Sequence, residues 1–202
     1  MRKLLLATSN PGKLRELIRL AETYDIEWLS LPDLGISPSH EETGVLLVEN
    51  AIPKALFYAE ASGCLTLADD SGLEVDALGT LPGVDTATFG GPGLSDGQRI
   101  HALLNRMKGI DWVGRKARFR SVLALAERGR VLATAEGVCD GWIANYPIGT
   151  NDFGYGSIFV VPEQGRTLAE LTQEEKSKVS HRTAAFIKLV PRIQDALSAL
   201  HV

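Results

Sequence analysis

Two adjacent aspartates, Asp69 and Asp70, followed by Ser71 and Gly72, are the residues of this chain best suited to chemistry. They come directly after a short apolar run, residues 65–68, which predicts a buried strand, and the glycine predicts a tight turn at its end. Loops at strand ends are where α/β proteins place reactive groups. Carboxylates at such a place can hold a hard divalent cation, and that cation can bind phosphates. A polar turn in which both carboxylates accept backbone N–H groups is the alternative.

A second polar cluster, residues 8–13, joins an apolar predicted strand to a helix predicted over residues 11–23. Asn10 is a favourable N-cap and Pro11 a favourable first helical residue. Backbone N–H groups at a helix start attract anions, and Lys13 adds a positive charge one turn later. The pattern is not that of a Walker A loop. An ordinary capped helix explains the same residues when they are taken alone.

Two further segments place polar or aromatic residues at the ends of predicted elements. Glu42 precedes a helix predicted over residues 45–61, and Lys54 lies two to three turns further along it. Pro53 lies inside that helix and is expected to kink it or to move its boundary. Residues 153–156 combine two glycines with two aromatic rings at the start of a predicted strand, which favours close approach to a flat ligand such as a purine. A bulged strand whose rings join the core is the alternative.

A Ser-His-Arg sequence at residues 180–182 presents several hydrogen-bond donors at a predicted helix start. The residues before it, 172–175, form a capping-box pattern that predicts a short helix. A Ser-His nucleophilic dyad is a poor interpretation, because adjacent residues rarely reach each other productively and no third member is evident. A helix cap followed by a solvated basic turn is the alternative.

The composition limits the class of protein. The 202 residues suit one domain, with two small domains as the alternative, and the 45% hydrophobic and 23% charged content is that of a soluble globular chain. A net charge of −4 provides no global basic field for a nucleic acid polymer. No apolar run approaches the roughly 20 residues of a membrane span, and the two cysteines form no zinc motif. We therefore expect one α/β domain over residues 1–202, located in the cytoplasm, with both thiols reduced.

Taken together and in this order, these segments resemble the inosine triphosphate pyrophosphatase family, also described as XTP/dITP diphosphatases. The matching motifs are Thr-Ser-Asn-x-x-Lys, Glu-Thr-Gly, Glu-Asn-Ala-x-x-Lys-Ala, Asp-Asp-Ser-Gly-Leu, Pro-Gly-Val, Phe-Gly-Tyr and Glu-Lys-x-x-x-Ser-His-Arg. The resemblance implies Mg²⁺-dependent hydrolysis of deaminated purine nucleoside triphosphates (ITP, dITP, XTP) between the α and β phosphates, which clears damaged nucleotides from the precursor pool. It also implies a homodimer with an elongated α/β fold, in which a mixed central sheet is flanked by helices and a cleft separates two lobes.

The resemblance further implies roles for individual residues. Glu42 and Asp70 would hold Mg²⁺, and Asp70 would also orient or deprotonate the attacking water as the catalytic residue, whereas Asp69 would support the loop. The residues expected to bind substrate are Thr8, Ser9, Asn10, Lys13, Lys54, Ser71, Phe153, Gly154, Tyr155, Gly156, Lys176, His181 and Arg182. His181 and Arg182 would donate to the base carbonyl at C6, which selects a carbonyl over the amino group of adenine.

Two departures from the family pattern fall at the base end of this expected site. Gly156 replaces an Asp that helps to read the base, and Asp152 stands where a Gly is expected. A nucleotide-binding relative with altered base specificity, or without catalysis, is therefore the alternative function. The related Maf-type pyrophosphatases are a second enzymatic rival, but the chain lacks the Ser-Pro-Arg-Arg start of that group.

Overall fold

A computed structural model describes residues 3–38 and 40–199. The strands are β1 Leu4–Ala7, β2 Trp28–Ser30, β3 Thr66–Val75, β4 Pro82–Gly83, β5 Lys116–Glu127, β6 Arg130–Ile143, β7 Phe159–Val161 and β8 Arg166–Thr167. The α-helices are α1 Pro11–Thr23, α2 Leu47–Ser62, α3 Asp96–Arg106, α4 Gln173–Val179 and α5 His181–Ser198. Among the helices described, none is long and apolar enough to cross a membrane.

The strands form one mixed sheet in the order β2-β1-β3-β5-β6-β7-β8, with β4 paired to β3. β1 runs parallel to both β2 and β3, whereas β3 pairs with β4, β6 with β7, and β7 with β8 in antiparallel fashion. Only residues 128–129 connect β5 to β6, and so short a connection allows only an antiparallel pairing. The predicted mixed α/β fold is thereby confirmed. The elongated shape with two lobes and a cleft stays a prediction.

The helix starts follow local sequence signals. The Asn10 side chain caps α1, and Ser95 caps α3 in a capping box, as Thr172 caps α4. Helix α2 begins at Leu47 and continues through Pro53, so the proline neither ends the helix nor marks its start. In α1, α3 and α4, the side chain of the residue just before the helix accepts backbone N–H groups of the first turn, and this sets where the helix begins.

The acidic tetrad, residues 69–72, is not a turn, and that prediction is wrong. It lies inside β3, which continues beyond the predicted residues 65–68 as far as Val75. The strand continues because β4 pairs with it, with Leu73 opposite Gly83. A Cβ at position 72 would lie 2.8 Å from the carbonyl carbon of Gly83. Gly72 is therefore required by the close approach of the β4 backbone rather than by a turn.

The strand predicted to start at residues 153–156 begins later than expected, because only Phe159–Val161 is a strand. Before it, the backbone turns on itself: Gly156 N donates to Phe153 O at 3.3 Å, and Ile158 N donates to Tyr155 O at 3.0 Å. Gly154 has a φ of +59°, a conformation that favours glycine and interrupts an extended strand.

The chain divides into two compact units, whose boundaries fall within β3, β5 and β6 and at the start of α5. The first unit contains the chain up to Asp70, Ser121–Gly137 and the chain from Arg182 onward, and its core is built on β1, α1 and α5. The second unit contains Ser71–Arg120 and Val138–His181 and has a core of its own. A single domain over residues 1–202 stays a prediction, and residues 1, 2, 39 and 200–202 lie outside the described part.

Candidate active site

The residues predicted to form the site fall into both units. The first unit holds Thr8, Ser9, Asn10, Lys13, Glu42, Lys54, Asp70 and Arg182. The second unit holds Ser71, Phe153, Gly154, Tyr155, Gly156, Lys176 and His181. Most of the charged residues of the predicted site therefore lie in the first unit, and its two aromatic residues Phe153 and Tyr155 lie in the second.

Asp69 is the centre of a buried ion cluster in the first unit. Its Oδ2 lies 2.9 Å from Lys13 Nζ and 3.3 Å from both Nε and Nη2 of Arg182, while Oδ1 accepts a hydrogen bond from Ser121 Oγ at 2.5 Å. Complete burial alone would raise the pKa of Asp69, but the positive charges of Arg182 and Lys13 outweigh it and hold the pKa well below its usual range. Asp69 is therefore ionised at neutral pH and neutralised by its neighbours.

Arg182 is tied into the same cluster. Its side chain is almost completely buried, and Nη1 donates to Glu16 Oε2 in addition to the bonds with Asp69. Burial opposes the charge of the guanidinium, yet Asp69 and Glu16 raise the pKa of Arg182 above its ordinary value. The contact from Arg182 to the base, expected from the resemblance, stays a prediction, and what the structure gives this side chain is a structural role beside Asp69.

Asp70, the next residue of β3, has different surroundings. Its Oδ2 accepts a hydrogen bond from Asn50 Nδ2 at 2.9 Å. Burial raises the pKa of Asp70, and the negative charge of Glu42 adds to that rise, against the opposing effects of Lys13 and the Asn50 bond. Asp70 therefore binds a proton more readily than Asp69 does. A carboxyl group that can take up a proton is suited to general-base chemistry.

The position of Asn50 depends on Gly44. Gly44 N donates to Asn50 Oδ1 at 2.7 Å, which leaves the amide nitrogen directed at Asp70. A Cβ at position 44 would lie 2.8 Å from Asn50 Oδ1 and 2.6 Å from Glu49 Cβ. Only a glycine allows this approach, so Gly44 indirectly orients the Asp70 carboxylate.

Lys54 joins Glu42 to the acidic strand. Its Nζ donates to Glu42 Oε1 and to the backbone oxygen of Asp69, the latter at 2.6 Å. Lys54 is buried, whereas the Glu42 side chain is 39% exposed. The Glu42 carboxylate is thus bound by the Lys54 ammonium and remains accessible to solvent.

A magnesium site at Glu42 and Asp70 is compatible with these surroundings. Among the residues that the structure describes, no three His, Cys, Asp or Glu side chains form a metal-ligating group. Mg²⁺ needs no such group, because it is usually held by one or two carboxylates and completes its shell with water and phosphate oxygens. Burial is the main cause of the raised pKa of Asp70, and the charge of Glu42 adds to it; Mg²⁺ held by both carboxylates would offset that repulsion.

The loop predicted to cradle phosphates uses most of its polar groups internally. Thr8 Oγ1 accepts from Asn10 N at 3.2 Å, and Asn10 Oδ1 accepts from Gly12 N at 2.8 Å and from Lys13 N at 3.1 Å. These N–H groups of the α1 start are therefore engaged by Asn10. The Lys13 ammonium is paired with Asp69, and the exposed Ser9 is the other feature of this loop suited to a phosphate.

The two aromatic rings of the second unit have different surroundings. Phe153 is 38% exposed and can stack on a planar ligand, whereas Tyr155 is 3% exposed and belongs to the core. The Tyr155 hydroxyl donates to Thr86 O at 3.2 Å, and burial raises the pKa of Tyr155 to about 12. Gly154 N donates to Asp96 Oδ2 at 2.8 Å and fixes the loop between the rings. Of the two rings, Phe153 is the one suited to contact a base.

The remaining predicted residues of the second unit lie beside partners of their own. Lys176 Nζ lies 3.4 Å from Asp152 Oδ1 and also donates to the backbone oxygen of Asn151. The His181 ring is stacked on Phe119, with a centroid distance of 5.1 Å and an interplanar angle of 13°. Gly156 is buried.

Comparison with known proteins identifies the family. A sequence model of the Ham1 family matches residues 4–192. The chain belongs to the Ham1 family. It is 40% identical to a dITP/XTP pyrophosphatase of Bacillus licheniformis, over 97% of this chain and 100% of that protein. A dITP/XTP pyrophosphatase of Methylococcus capsulatus is 44% identical over 96% of each chain.

A solved Ham1 structure has the same fold. The HAM1 protein from Coxiella burnetii superposes with a TM-score of 0.85 and 38% identity, covering 96% of this chain and 100% of that one. The resemblance inferred from the motifs is thus confirmed for the Ham1 family over nearly the whole chain.

Sequence reasoning missed several residues that this Ham1 fold places at the acidic strand. Asn50 binds Asp70, Ser121 binds Asp69, and Glu16 binds Arg182. Asn50 lies in the Glu-Asn-Ala motif, so a signal for it existed. Ser121 and Glu16 carry no local signal, because the residues they bind lie 52 and 166 positions away in sequence.

An apolar groove of about 470 Å³ in the second unit is lined by none of the predicted site residues. Its walls include Trp112, Trp142, Tyr146 and Ile148, and the two indoles are stacked with centroids 6.1 Å apart. The groove is lined by no carboxylate and no cationic side chain. It therefore lacks the groups that a triphosphate requires.

Proposed function

We propose that this chain is a nucleoside triphosphate pyrophosphatase that hydrolyses deaminated purine nucleotides, namely ITP, dITP and XTP, to the monophosphate and pyrophosphate. Membership of the Ham1 family and the names of the curated relatives support the substrate class. The observation that carries the proposal is the contrast between Asp69 and Asp70. The Asp69 carboxylate is paired with Lys13 and Arg182, whereas the Asp70 carboxylate accepts a hydrogen bond from the Asn50 amide and its pKa is raised by burial.

In the proposed reaction, Asp70 orients a water molecule and accepts its proton as the water oxygen attacks the α-phosphorus. A bond forms between this oxygen and the α-phosphorus, and the bond to the oxygen bridging the β-phosphorus breaks, releasing pyrophosphate. The Asn50 amide holds the Asp70 carboxylate for this role. Mg²⁺, with Glu42 and Asp70 as its proposed ligands, would neutralise negative charge on the phosphate oxygens.

The cations of the first unit suit a polyanionic substrate. Lys13 and Lys54 lie beside the acidic strand, where Lys13 is paired with Asp69 and Lys54 with Glu42, in a chain whose net charge is −4. Phosphoryl transfer depends mainly on positioning and on neutralising oxygen charge, and contact with phosphate oxygens is the role proposed for these two lysines. In the second unit, Phe153 is the proposed stacking partner of the base, and Lys176 and His181 are proposed to contact the substrate.

The proposal includes a cytoplasmic homodimer, as the resemblance implies. Size-exclusion chromatography with light scattering measures the oligomeric state directly, and we expect twice the 21.8 kDa chain mass. A monomer at micromolar concentration would remove the dimer from the proposal without affecting the reaction.

A substrate panel tests the proposed reaction. The purified protein is incubated with ITP, dITP, XTP and ATP, with Mg²⁺ or with EDTA, and the products are separated. We expect inosine or xanthosine monophosphate and pyrophosphate from the first three nucleotides in Mg²⁺, and far less product from ATP. Release of orthophosphate would contradict the reaction type. Tight nucleotide binding without any product would favour the alternative of a non-catalytic nucleotide-binding relative, which Gly156 motivates.

A further inference from the structure

The carboxylate of Asp152 occupies the space that a side chain at position 156 would fill. A Cβ built on Gly156 would lie 2.5 Å from Asp152 Cγ and 2.7 Å from Asp152 Cβ, and it would overlap Oδ2. These distances are shorter than real Cβ contacts, and Cβ of Asp152 cannot move away without its backbone. Gly156 and Asp152 therefore depend on each other, because either position can carry a side chain here but not both.

The Asp152 carboxylate is fixed in this place. Oδ1 accepts from the backbone N–H of Phe153 at 2.9 Å and lies 3.4 Å from Lys176 Nζ. Both side chains of the ion pair are largely buried, with 14% of Asp152 and 13% of Lys176 exposed. Lys176 is itself anchored to the backbone oxygen of Asn151. A carboxylate held from two sides in a poorly solvated place interacts strongly with a nearby donor.

We propose that Asp152 is a specificity-determining residue that selects 6-oxopurines, with its carboxylate acting from the space vacated at Gly156; this inference rests on the proposed function. Inosine and xanthosine carry a hydrogen on N1, which a carboxylate accepts. Adenine has an unprotonated N1, whose lone pair a carboxylate repels. A site with a fixed carboxylate therefore disfavours adenine, because the lone pair on N1 faces the carboxylate oxygen with no proton between them. The exposed ring of Phe153, whose backbone N–H binds the same carboxylate, stacks on the base.

An exchange of the two residues tests the inference. The variants are Asp152→Gly, Gly156→Asp and the double variant Asp152→Gly/Gly156→Asp, each measured for kcat/KM with ITP and with ATP. Asp152→Gly should lower the ratio of ITP to ATP kcat/KM by about tenfold to a hundredfold. Gly156→Asp should lower ITP turnover, because two carboxylates then compete for one space. The double variant should recover most of both losses, which independent sites would not do.

Asp152→Asn is the second arm, since it keeps the shape of the side chain and an oxygen for the Phe153 N–H. It should also lower the ITP to ATP ratio by about tenfold, with an unchanged melting temperature. A ratio that stays within about twofold of wild type in both Asp152→Asn and Asp152→Gly would overturn the inference. So would a double variant that folds but is no better than the worse single variant. Should the double variant fail to fold, the Asn variant alone decides.

Measurements on the wild-type protein distinguish a failure of the proposed function from a failure of the role proposed for Asp152. Wild-type release of pyrophosphate from ITP in preference to ATP, together with an insensitive ratio in Asp152→Asn, would refute only the role of Asp152. Wild-type protein that releases no pyrophosphate from any purine triphosphate would refute the proposed function, and the inference would fall with it.

Discussion

Nε and Nη2 of Arg182 both donate to one oxygen of Asp69, each at 3.3 Å, across 113 positions of sequence. Both side chains are buried, so removing either member of this ion pair would leave an uncompensated buried charge and lower the stability of the fold. The ion pair keeps Asp69 ionised and bound to Arg182, while the next residue, Asp70, accepts a hydrogen bond from the Asn50 amide. Adjacent residues of the same type are thereby given different tasks.

Asp69→Asn should destabilise the fold, because Arg182 and Lys13 would lose the carboxylate that neutralises them. Breaking a buried pair costs about 3–5 kcal/mol, which corresponds to a fall in melting temperature of roughly 6–20 °C for a chain of this size. Ser121→Ala is the matched control, since it removes only the hydrogen bond to the other oxygen of Asp69. Equal melting temperatures for Asp69→Asn and wild type would contradict the role of the cluster.

The stability gap between wild type and Asp69→Asn should depend on pH. The pKa of Asp69 is lowered in the fold, so its contribution is present above its ordinary value of 3.8 and is lost as the pH falls through the lowered pKa. Melting curves between pH 7 and pH 2 should show a constant gap that narrows only below about pH 4. A gap that narrows near neutral pH would show that another group is responsible.

Asp70→Asn should abolish turnover and leave the fold at least as stable. The pKa of Asp70 is raised, so its ionised form costs stability above that pKa, and the neutral Asn removes the cost. In EDTA at pH 8, the melting temperature of Asp70→Asn should equal or exceed that of wild type, with pyrophosphate release lowered at least a hundredfold. A strongly destabilised Asp70→Asn would instead assign this residue a structural role like that of Asp69.

Gly44→Ala should lower kcat by about tenfold through Asn50, because the new Cβ displaces the amide that binds Asp70. Gly97→Ala in α3 is the matched control, since nothing lies within 4 Å of its added Cβ and its φ is ordinary. Measurement of kcat for both variants should show the loss in Gly44→Ala and none in Gly97→Ala. Full activity in Gly44→Ala would mean that Asn50 does not orient the carboxylate.

The two cysteines should differ in reactivity. Burial, with the charges of Glu163 and Asp140, raises the pKa of Cys139 to about 12, and Cys64 is only half-buried. Iodoacetamide at pH 8 should therefore alkylate Cys64 in the native protein and Cys139 only after denaturation. Mass spectrometry of digested samples measures both, and native labelling of Cys139 would contradict its burial.

The sequence predicted those parts of the fold that a few neighbouring residues decide. The α1 start depends on Asn10 and the two N–H groups it accepts, and the α4 start on Thr172 and Glu175. Those contacts span two or three positions, so their residue types reveal them. The family motifs predicted Glu42 and Asp70 as metal ligands; both lie in the first compact unit, and their role stays a prediction.

Contacts between residues that are far apart in sequence could not be predicted from local patterns. The tetrad was expected to be a turn because Gly72 permits one, but pairing with β4 extends the strand through it. Arg182 was expected to contact the base, which stays a prediction, and no local pattern indicated its bonds to Asp69 and Glu16. No local pattern reports a partner more than a hundred positions away, so a side chain can be located in a motif without its contact being known.

Hydrolysis of ITP in oxygen-18 water shows which phosphorus the attacking water reaches. The reaction is run with Mg²⁺, and the label is located in the products by mass spectrometry. We predict one labelled oxygen in inosine monophosphate and unlabelled pyrophosphate. Label in pyrophosphate, or release of orthophosphate, would contradict the account.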